Sequence, residues 1–253
     1  MNEMQTKRNY IGVTGFRDRQ EIEEISKFAD QLESKCRVHY GVMTGRKKLS
    51  DIPSKYSHSF LSYEALDNIF PAATESTMNC VHYADYGEDV DPLITMGILA
   101  KICFYCNNMQ ALQLDMVLPS EKAINPIVTM FPHIEVILQI NPETLAQKTT
   151  EQLKEYLNGF IRVDWLLFDQ SKGTGKKGDP AQMEKFINDF PEYRVALAGG
   201  LGPETLTVLG PLQGKTSIDA QGRLTRAGED QFNPYLDLAK VKAYLQTSTQ
   251  AYG

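Results

Sequence analysis

Val195-Ala-Leu-Ala-Gly-Gly-Leu-Gly-Pro-Glu-Thr-Leu206 is an apolar run that stops at a Gly-Gly pair and continues through Pro203 and Glu204. The run reads as a buried strand and the glycines as a tight turn. Pro203 suits the first turn of a helix, where no backbone donor is needed. Gly199, Gly200 and Gly202 leave backbone N–H groups uncovered by side chains. An anion at a helix N-terminus meets unpaired N–H donors and the positive end of the helix dipole. A second strand is expected at Thr216-Ser-Ile-Asp-Ala220, ending at Gln221-Gly222. Two consecutive strand ends that offer glycine backbone fit the phosphate site after strands 7 and 8 of a (β/α)8 barrel. The same glycines also serve an ordinary strand–turn–helix connection, where they answer only the turn's steric demand.

Outward from this stretch, apolar runs alternate with helical stripes along the chain. The runs Tyr10–Thr14, Arg37–Met43, Asn79–Ala84, Ala111–Leu114, Glu135–Ile140 and Asp164–Phe168 read as the six preceding strands. Between and after them, helices are expected over Asp18–Glu33, Ser59–Ile69, Asp91–Cys106, Pro119–Phe131, Thr149–Phe160, Asp179–Asp189, Pro203–Leu212 and Pro234–Leu245. In the first, Ile22, Ile25, Phe28, Ala29 and Leu32 repeat at the spacing of one helix face. Strand 2 has a long irregular exit, Thr44 to His58. Strand–helix alternation implies a parallel sheet. Eight such units at roughly 30 residues each predict a single (β/α)8 TIM barrel, one domain over residues 1–253. An open doubly wound sheet has the same alternation, and periodicity alone does not show closure.

The chain has 253 residues, 42% of them hydrophobic, and a net charge of −6. That is enough apolar material for a full core. An acidic balance argues against a nucleic-acid partner, which demands a basic face. Met1 to Asn9 carries no apolar signal-like region. The longest apolar stretch, Ile94 to Cys106, is interrupted by Lys101 and is too short to span a bilayer. The expectation is a cytoplasmic protein with no membrane partner, present as a monomer or homodimer. Four cysteines are too few for a disulfide scaffold. Cys103 and Cys106 have C-x-x-C spacing without a second pair, and read as buried thiols rather than metal ligands.

Reacting groups of such barrels sit at the C-terminal ends of the strands. Those ends supply Thr14, Arg46, Asp85, Gln113, Asp115, Gln139, Asp169, Gly199, Gly200, Asp219 and Gly222. Asp169 closes the apolar run Trp165-Leu-Leu-Phe168. A carboxylate in such surroundings can hold its proton and act as a general acid, or simply cap loop N–H groups. Gly173-Thr-Gly-Lys176 lacks the spacing of a nucleotide-binding loop and reads as a loop over the site. Arg46, beside Lys47 and Lys48, can clamp an anionic group or sit in a solvated cluster. His39 and His82 fall inside strands and read as barrel-wall residues without metal-ligand spacing.

These elements, in this order, resemble the phosphoribosylanthranilate isomerase family of tryptophan biosynthesis. Ile11-Gly-Val-Thr-Gly-Phe16 resembles the family's opening K-I-C-G-I, and Thr44-Gly-Arg46 its S-x-R. Leu112-Gln-Leu-Asp115 resembles Q-L-H-G, and Leu166-Leu-Phe-Asp169 with Gly173-Thr-Gly-Lys176 resembles L-L-D and G-G-T-G. Ala198-Gly-Gly-Leu-Gly-Pro203 is close to A-G-G-L-x-P, and Ser217-Ile-Asp-Ala-Gln-Gly222 is similar to V-D-V-S-S-G. The likeness runs from the first strand to the eighth. It implies a small phosphorylated metabolite as ligand and a cofactor-free Amadori rearrangement of an aminoaldose to an aminoketose. Asp169 matches the acid that opens the sugar ring, Gly200 and Gly222 match backbone phosphate contacts, and Arg46 matches a carboxylate contact.

Thr14 stands where the family has its cysteine base. An alkyl hydroxyl needs a neighbouring base to be activated. The expectation is therefore weak or absent turnover of the family substrate, with Asp115, Asp85 or Asp219 as replacement bases. The alternative is a non-catalytic descendant that binds an anionic ligand.

Overall fold

In a computed structural model, residues 8–87, 90–170, 178–226 and 233–252 are described. Eight parallel strands close into a barrel: β1 (Tyr10–Phe16), β2 (Arg37–Thr44), β3 (Thr77–Asp85), β4 (Ala111–Met116), β5 (Glu135–Ile140), β6 (Trp165–Asp169), β7 (Val195–Ala198) and β8 (Ser217–Ala220). Closure is made by β8 pairing with β1, with Gly12 opposite Asp219. This settles the sheet as a closed barrel rather than an open one. Around it lie α1 (Arg19–Ala29), α2 (Arg46–Leu49), α3 (Tyr63–Asp67), α4 (Pro92–Tyr105), α5 (Glu121–Met130), α6 (Pro142–Gln147), α7 (Thr150–Leu157), α8 (Pro180–Asp189) and α9 (Leu238–Tyr252). No helix among the described residues is long and apolar enough to cross a membrane.

The strands are almost wholly buried because helices cover one face and barrel filling covers the other. Successive side chains alternate between those faces. Outward residues such as Ile11, Val13, Val81, Leu112, Leu138 and Leu166 join the larger core beneath the helices. Inward residues stack in layers, as barrel interiors do. The lowest layer is polar. Arg37 donates to Glu135 through both Nη atoms (2.8 and 3.1 Å), and Trp165 Nε1 donates to Glu135 Oε2 at 2.8 Å. The Arg194 guanidinium lies 3.4 Å from the Trp165 ring centroid. Above it, Tyr10, Met78, Cys80, Ile137 and Leu167 form a buried apolar floor.

Helix starts follow their capping chemistry. Asp91 caps α4 ahead of Pro92, and Thr149 and Gln152 form a reciprocal capping box on α7. Three expected helices differ. The segment after β7 begins no α-helix at Pro203; it turns, then forms a 3-10 segment at Leu206–Leu212. Gly210, at φ 48°, and Pro211 prevent a regular helix there. Of Ser59–Ile69 only Tyr63–Asp67 is helical, because Leu61 N–H is taken by Met43 O and Ser62 caps the turn. The last helix starts at Leu238 rather than Pro234, and Tyr235–Leu236 instead pairs as a short strand with Thr225–Arg226. The expected irregular exit of β2 contains α2. Cys103 and Cys106 are free, buried thiols, both pushed up to about 12 by burial.

Candidate functional site

At the C-terminal ends of the strands the uppermost inward layer opens into a cavity of about 1090 Å³. The two-residue period brings Thr14, His82, Gln113, Gln139, Asp169 and Asp219 into this one layer from six different strands. Each of these strands contributes one such residue near its C-terminal end, so no single segment holds the site.

One half of the layer is the pair Thr14–Asp219. Thr14 Oγ1 donates to the Asp219 carboxylate, 3.0 Å to Oδ2 and 3.2 Å to Oδ1. Two glycines make room for it. A Cβ on Gly12 would stand 2.5 Å from Asp219 Oδ1, and one on Gly41 would stand 2.5 Å from Thr14 Oγ1. Burial pushes the Asp219 carboxyl up to about 7; the facing Asp169 adds to this, while His82 and the Thr14 hydroxyl oppose it. Beneath, His39 Nδ1 lies 3.9 Å from Asp219 Oδ1. His39 is fully buried and stacks on Tyr10 at 5.0 Å between ring centroids. Burial, then the nearby His82 and Arg37, push it down to about 3, so the ring is neutral.

The other half is a hydrogen-bonded chain. Tyr86 donates to Asp115 Oδ1, and Asp115 Oδ2 lies 3.3 Å from His82 Nε2. His82 Nδ1 lies 3.2 Å from Gln113 Nε2, which also donates to Gln139 Oε1 at 2.8 Å. Gln139 Nε2 then donates to Asp169 Oδ2 at 3.1 Å. Burial alone would raise Asp115, but hydrogen bonds from His82 and Tyr86 outweigh it and hold that carboxyl below its ordinary value.

Gly199 and Gly200 form the wall above β7 with φ of 123° and 66°, conformations that favour glycine. Gly200 O accepts from Thr205 Oγ1 at 2.8 Å, which ties the turn down. Beside it Ala220, Gln221 and Gly222 line the cavity, with Gly222 opening a 3-10 turn to Leu224. The wall is thus glycine backbone and a 3-10 turn, without the α-helix dipole expected after β7.

The structure therefore brings together Thr14, Gln113, Asp115, Asp169, Gly199, Gly200, Asp219 and Gly222. Arg46 is placed differently. Its Nε donates to Asp85 Oδ2 at 2.9 Å, and its side chain is not part of the cavity wall. Asp85 also accepts from Tyr83 OH and from the Gly87 N–H, so it is committed to structure. Gly173–Lys176 lies outside the described residues, as does most of Arg226–Asn233. Sequence reasoning passed over His82, Tyr86 and Arg17 as cavity residues. The two-residue period from Cys80 carries the signal for His82. Arg17 donates to Ser59 Oγ at 2.8 Å at the cavity edge, with its guanidinium 4.2 Å from the Tyr235 ring centroid. Among the described residues no cluster of His, Cys, Asp and Glu is arranged to hold a metal ion.

The molecule is, by fold and site, a (β/α)8 barrel with facing carboxylates and a glycine wall at the catalytic face of that architecture. Among solved structures it is similar to TrpF from Jonesia denitrificans, with a TM-score of 0.65 at 17% identity over 96% of this chain and 98% of that one. It is similar to phosphoribosyl anthranilate isomerase from Thermococcus kodakaraensis, with a TM-score of 0.62 at 15% identity over 94% and 98%. For N-(5'-phosphoribosyl)anthranilate isomerase from Pyrococcus furiosus the TM-score is 0.61 at 13% identity over 96% and 99%. No protein-family model matches the chain, and no curated protein matches it in sequence. At these identities the likeness establishes a shared fold, and chemistry must be argued from the site.

Proposed function

We propose that this barrel binds a small phosphorylated sugar amine and isomerises it by acid–base chemistry, with Asp219 as base and Asp169 as acid. The observation that carries this reading is Asp219: a buried carboxyl at the cavity floor, raised to about 7, facing a second carboxyl. A base is most useful when its pKa lies near the working pH. Of the three candidate bases, Asp85 is held by Arg46 and Asp115 is saturated by His82 and Tyr86. Asp219 combines a raised pKa with a place on the cavity wall.

In the proposed reaction Asp169 gives its proton to the ring oxygen of a furanosylamine, and the ring opens to an iminium. Asp219 then removes the C2 proton, leaving an enolamine that tautomerises to the aminoketose. Thr14 donates to the ionised Asp219 and orients it, rather than abstracting the proton itself. The phosphate lies against Gly199, Gly200 and Gly222, where backbone donors can face it. Arg17, Lys47 and Lys55 also line the cavity and favour an anionic ligand. The reaction needs no cofactor, and the protein works in the cytoplasm as a monomer or homodimer.

The test is deuterium incorporation at C2 of N-substituted ribosylamine 5-phosphates in D2O, read by mass and NMR. Exchange is expected, rising with pH through about 7 as Asp219 ionises, and lost in both Asp169→Asn and Asp219→Asn. Thr14 in place of a thiol favours the second reading, a non-catalytic binder of the same ligands. Saturable binding with no exchange in any substrate of this class would establish the binder and overturn the enzyme.

A further inference from the structure

Ile94 to Cys106, the longest apolar stretch of the chain, makes up most of α4, and the barrel covers only one side of that helix. Thr95, Leu99, Ile102 and Cys103 are buried inward. On the outer side Leu93 is 65% exposed, Ile94 55%, Phe104 74% and Tyr105 47%. Lys101 is the one charged residue in Pro92–Tyr105. In α1, by contrast, Ile22, Ile25 and Ala29 are buried while Arg19, Glu24 and Lys27 face water. A helix at a protein surface keeps its outer face polar, and one that is apolar all round is built to be covered.

The open face has the form of a helix-pairing seam. Ile94, Gly97, Lys101 and Phe104 follow one another at i, i+3, i+7 and i+10, the spacing of a helix that packs along another helix. Leu93 and Tyr105 flank its two ends. The seam is aliphatic at its start and aromatic at its finish, where Tyr63 of α3 joins Tyr105 at 6.4 Å between ring centroids. Lys101 is drawn out of the way, its ammonium 3.9 Å from the Tyr63 ring centroid, so the middle of the seam at Gly97 stays open. Met130, at the end of the neighbouring α5, is 52% exposed at the same end of the barrel as Tyr105.

We propose that α4 is the interface of a two-fold homodimer, in which the open faces of two α4 helices pack antiparallel. Side chains of this size present about 150–250 Å² when fully open, so Leu93, Ile94, Phe104, Tyr105 and Met130 leave roughly 500 Å² of apolar surface in water on each copy. That is at the upper end of what a monomer exposes in one patch. A two-fold axis uses the same patch twice, which gives roughly 1,000 Å² from these side chains before any rim is counted. A stable interface buries about 1,200–2,000 Å², and Gly97, the Lys101 stem and the flanks of α3 and α5 bring the pair into that range. The antiparallel arrangement sets the aliphatic start of each seam on the aromatic finish of the other, with Ile94 on the partner's Phe104 and Gly97 facing the partner's Lys101. It also sets the positive end of each helix dipole beside the negative end of the other. Two copies of a chain with net charge −6 repel one another, and this seam lets them meet without setting acid against acid. The cavity opens at the end of the barrel and stays free in such a pair, so the dimer is independent of the proposed reaction.

Sedimentation velocity of the full chain without ligand tests this across micromolar concentrations. The wild type is expected at the mass of two chains. Phe104→Glu and Ile94→Lys each place a charge in the seam twice, once per copy, and each should weaken dimerisation by at least about a hundredfold. Both side chains are exposed in the single chain, so circular dichroism should not change. An equal mixture of the two variants should form a dimer again. One half of the seam then pairs the introduced ammonium with the introduced carboxylate, and the other half keeps its native pair. Should either variant fail to fold, amide hydrogen exchange in wild-type α4 needs no substitution and should slow as protein concentration rises. A wild type that sediments as one chain throughout, with or without some other protein able to bind α4, would overturn the dimer. So would a dimer that both variants leave intact, which would place the interface on another face, or a mixture that stays monomeric, which would exclude the antiparallel pairing. Failure of the isomerase reading would appear as absent C2 exchange and would leave the sedimentation unaffected.

Discussion

Asp219→Asn is expected to make the protein more stable at neutral pH while removing the proposed C2 exchange. The native carboxyl holds its proton up to about 7, against an ordinary value of 3.8. The native state therefore binds more protons than the unfolded chain between these two values. By linkage, the contribution of this group to stability declines as pH climbs from about 4 to about 7, and is flat above. Three pH units at about 1.4 kcal/mol each set a ceiling of about 4 kcal/mol for the cost of ionising Asp219 in place. Asparagine is isosteric and cannot ionise, and its oxygen can still accept from Thr14. Its amide brings two donors, with His39 Nδ1 the nearest acceptor, 3.9 Å from the present Oδ1. Imperfect pairing of that amide returns about 1 kcal/mol. The net expectation is a gain of roughly 2–3 kcal/mol at pH 8, shrinking towards zero or slightly below at pH 4. His39 acts in the opposite sense. Its ring is pushed down to about 3 from 6.5, so its contribution is complete above 6.5 and is lost as pH falls below that value. Wild type and variant share His39, so the difference between them isolates Asp219. Urea denaturation of both proteins from pH 4 to 8 measures it. A variant no more stable than wild type at pH 8, or a difference that does not change with pH, would refute the claim that burial rather than pairing dominates at Asp219.

Two further predictions concern the scaffold. Gly97 lies inside α4, and a Cβ there meets nothing within 4 Å; Gly97→Ala should raise stability by about 0.5–1 kcal/mol, seen as a higher thermal midpoint. A lower midpoint would mean that the partner's helix lies too close to this face of α4 for a methyl group. Glu135→Ala strands the Arg37 guanidinium at the closed end of the barrel and takes the acceptor from Trp165 Nε1. A loss of about 3–5 kcal/mol in urea unfolding is expected, and a loss below about 1 kcal/mol would show that water reaches this end and solvates the arginine.

Much of the site is legible because barrel architecture turns chain order into spatial position. Asp169 and Asp219 could be named from the sequence because Asp169 closes an apolar run and Asp219 sits one residue before the end of a short strand, and such strands end at the same face of the barrel. Gly199, Gly200 and Gly222 were legible as turn glycines for the same reason. The helix expected at Pro203 was not formed, because Gly210-Pro211 outweighs the apolar spacing that suggested it. Arg46 was read as a ligand contact because charge in a strand-end loop is all that local sequence shows. Its partner, Asp85, lies 39 residues away on the neighbouring strand. His82 was passed over because a histidine inside a strand looks the same from the sequence whether it faces helices or the cavity.

What the sequence by itself determined is the repeating strand–helix order and the list of groups that reach the open end. Both depend on local periodicity, which a single segment carries within its own residues. Only the tertiary structure decided which carboxylate is poised. Asp85, Asp115 and Asp219 are the same chemical group at three strand ends. Arg46 holds the first, His82 and Tyr86 saturate the second, and the third is buried beside a hydroxyl and a neutral histidine. A carboxyl's proton affinity is set by the dielectric and the donors around it. Those come from strands that only closure of the barrel brings together.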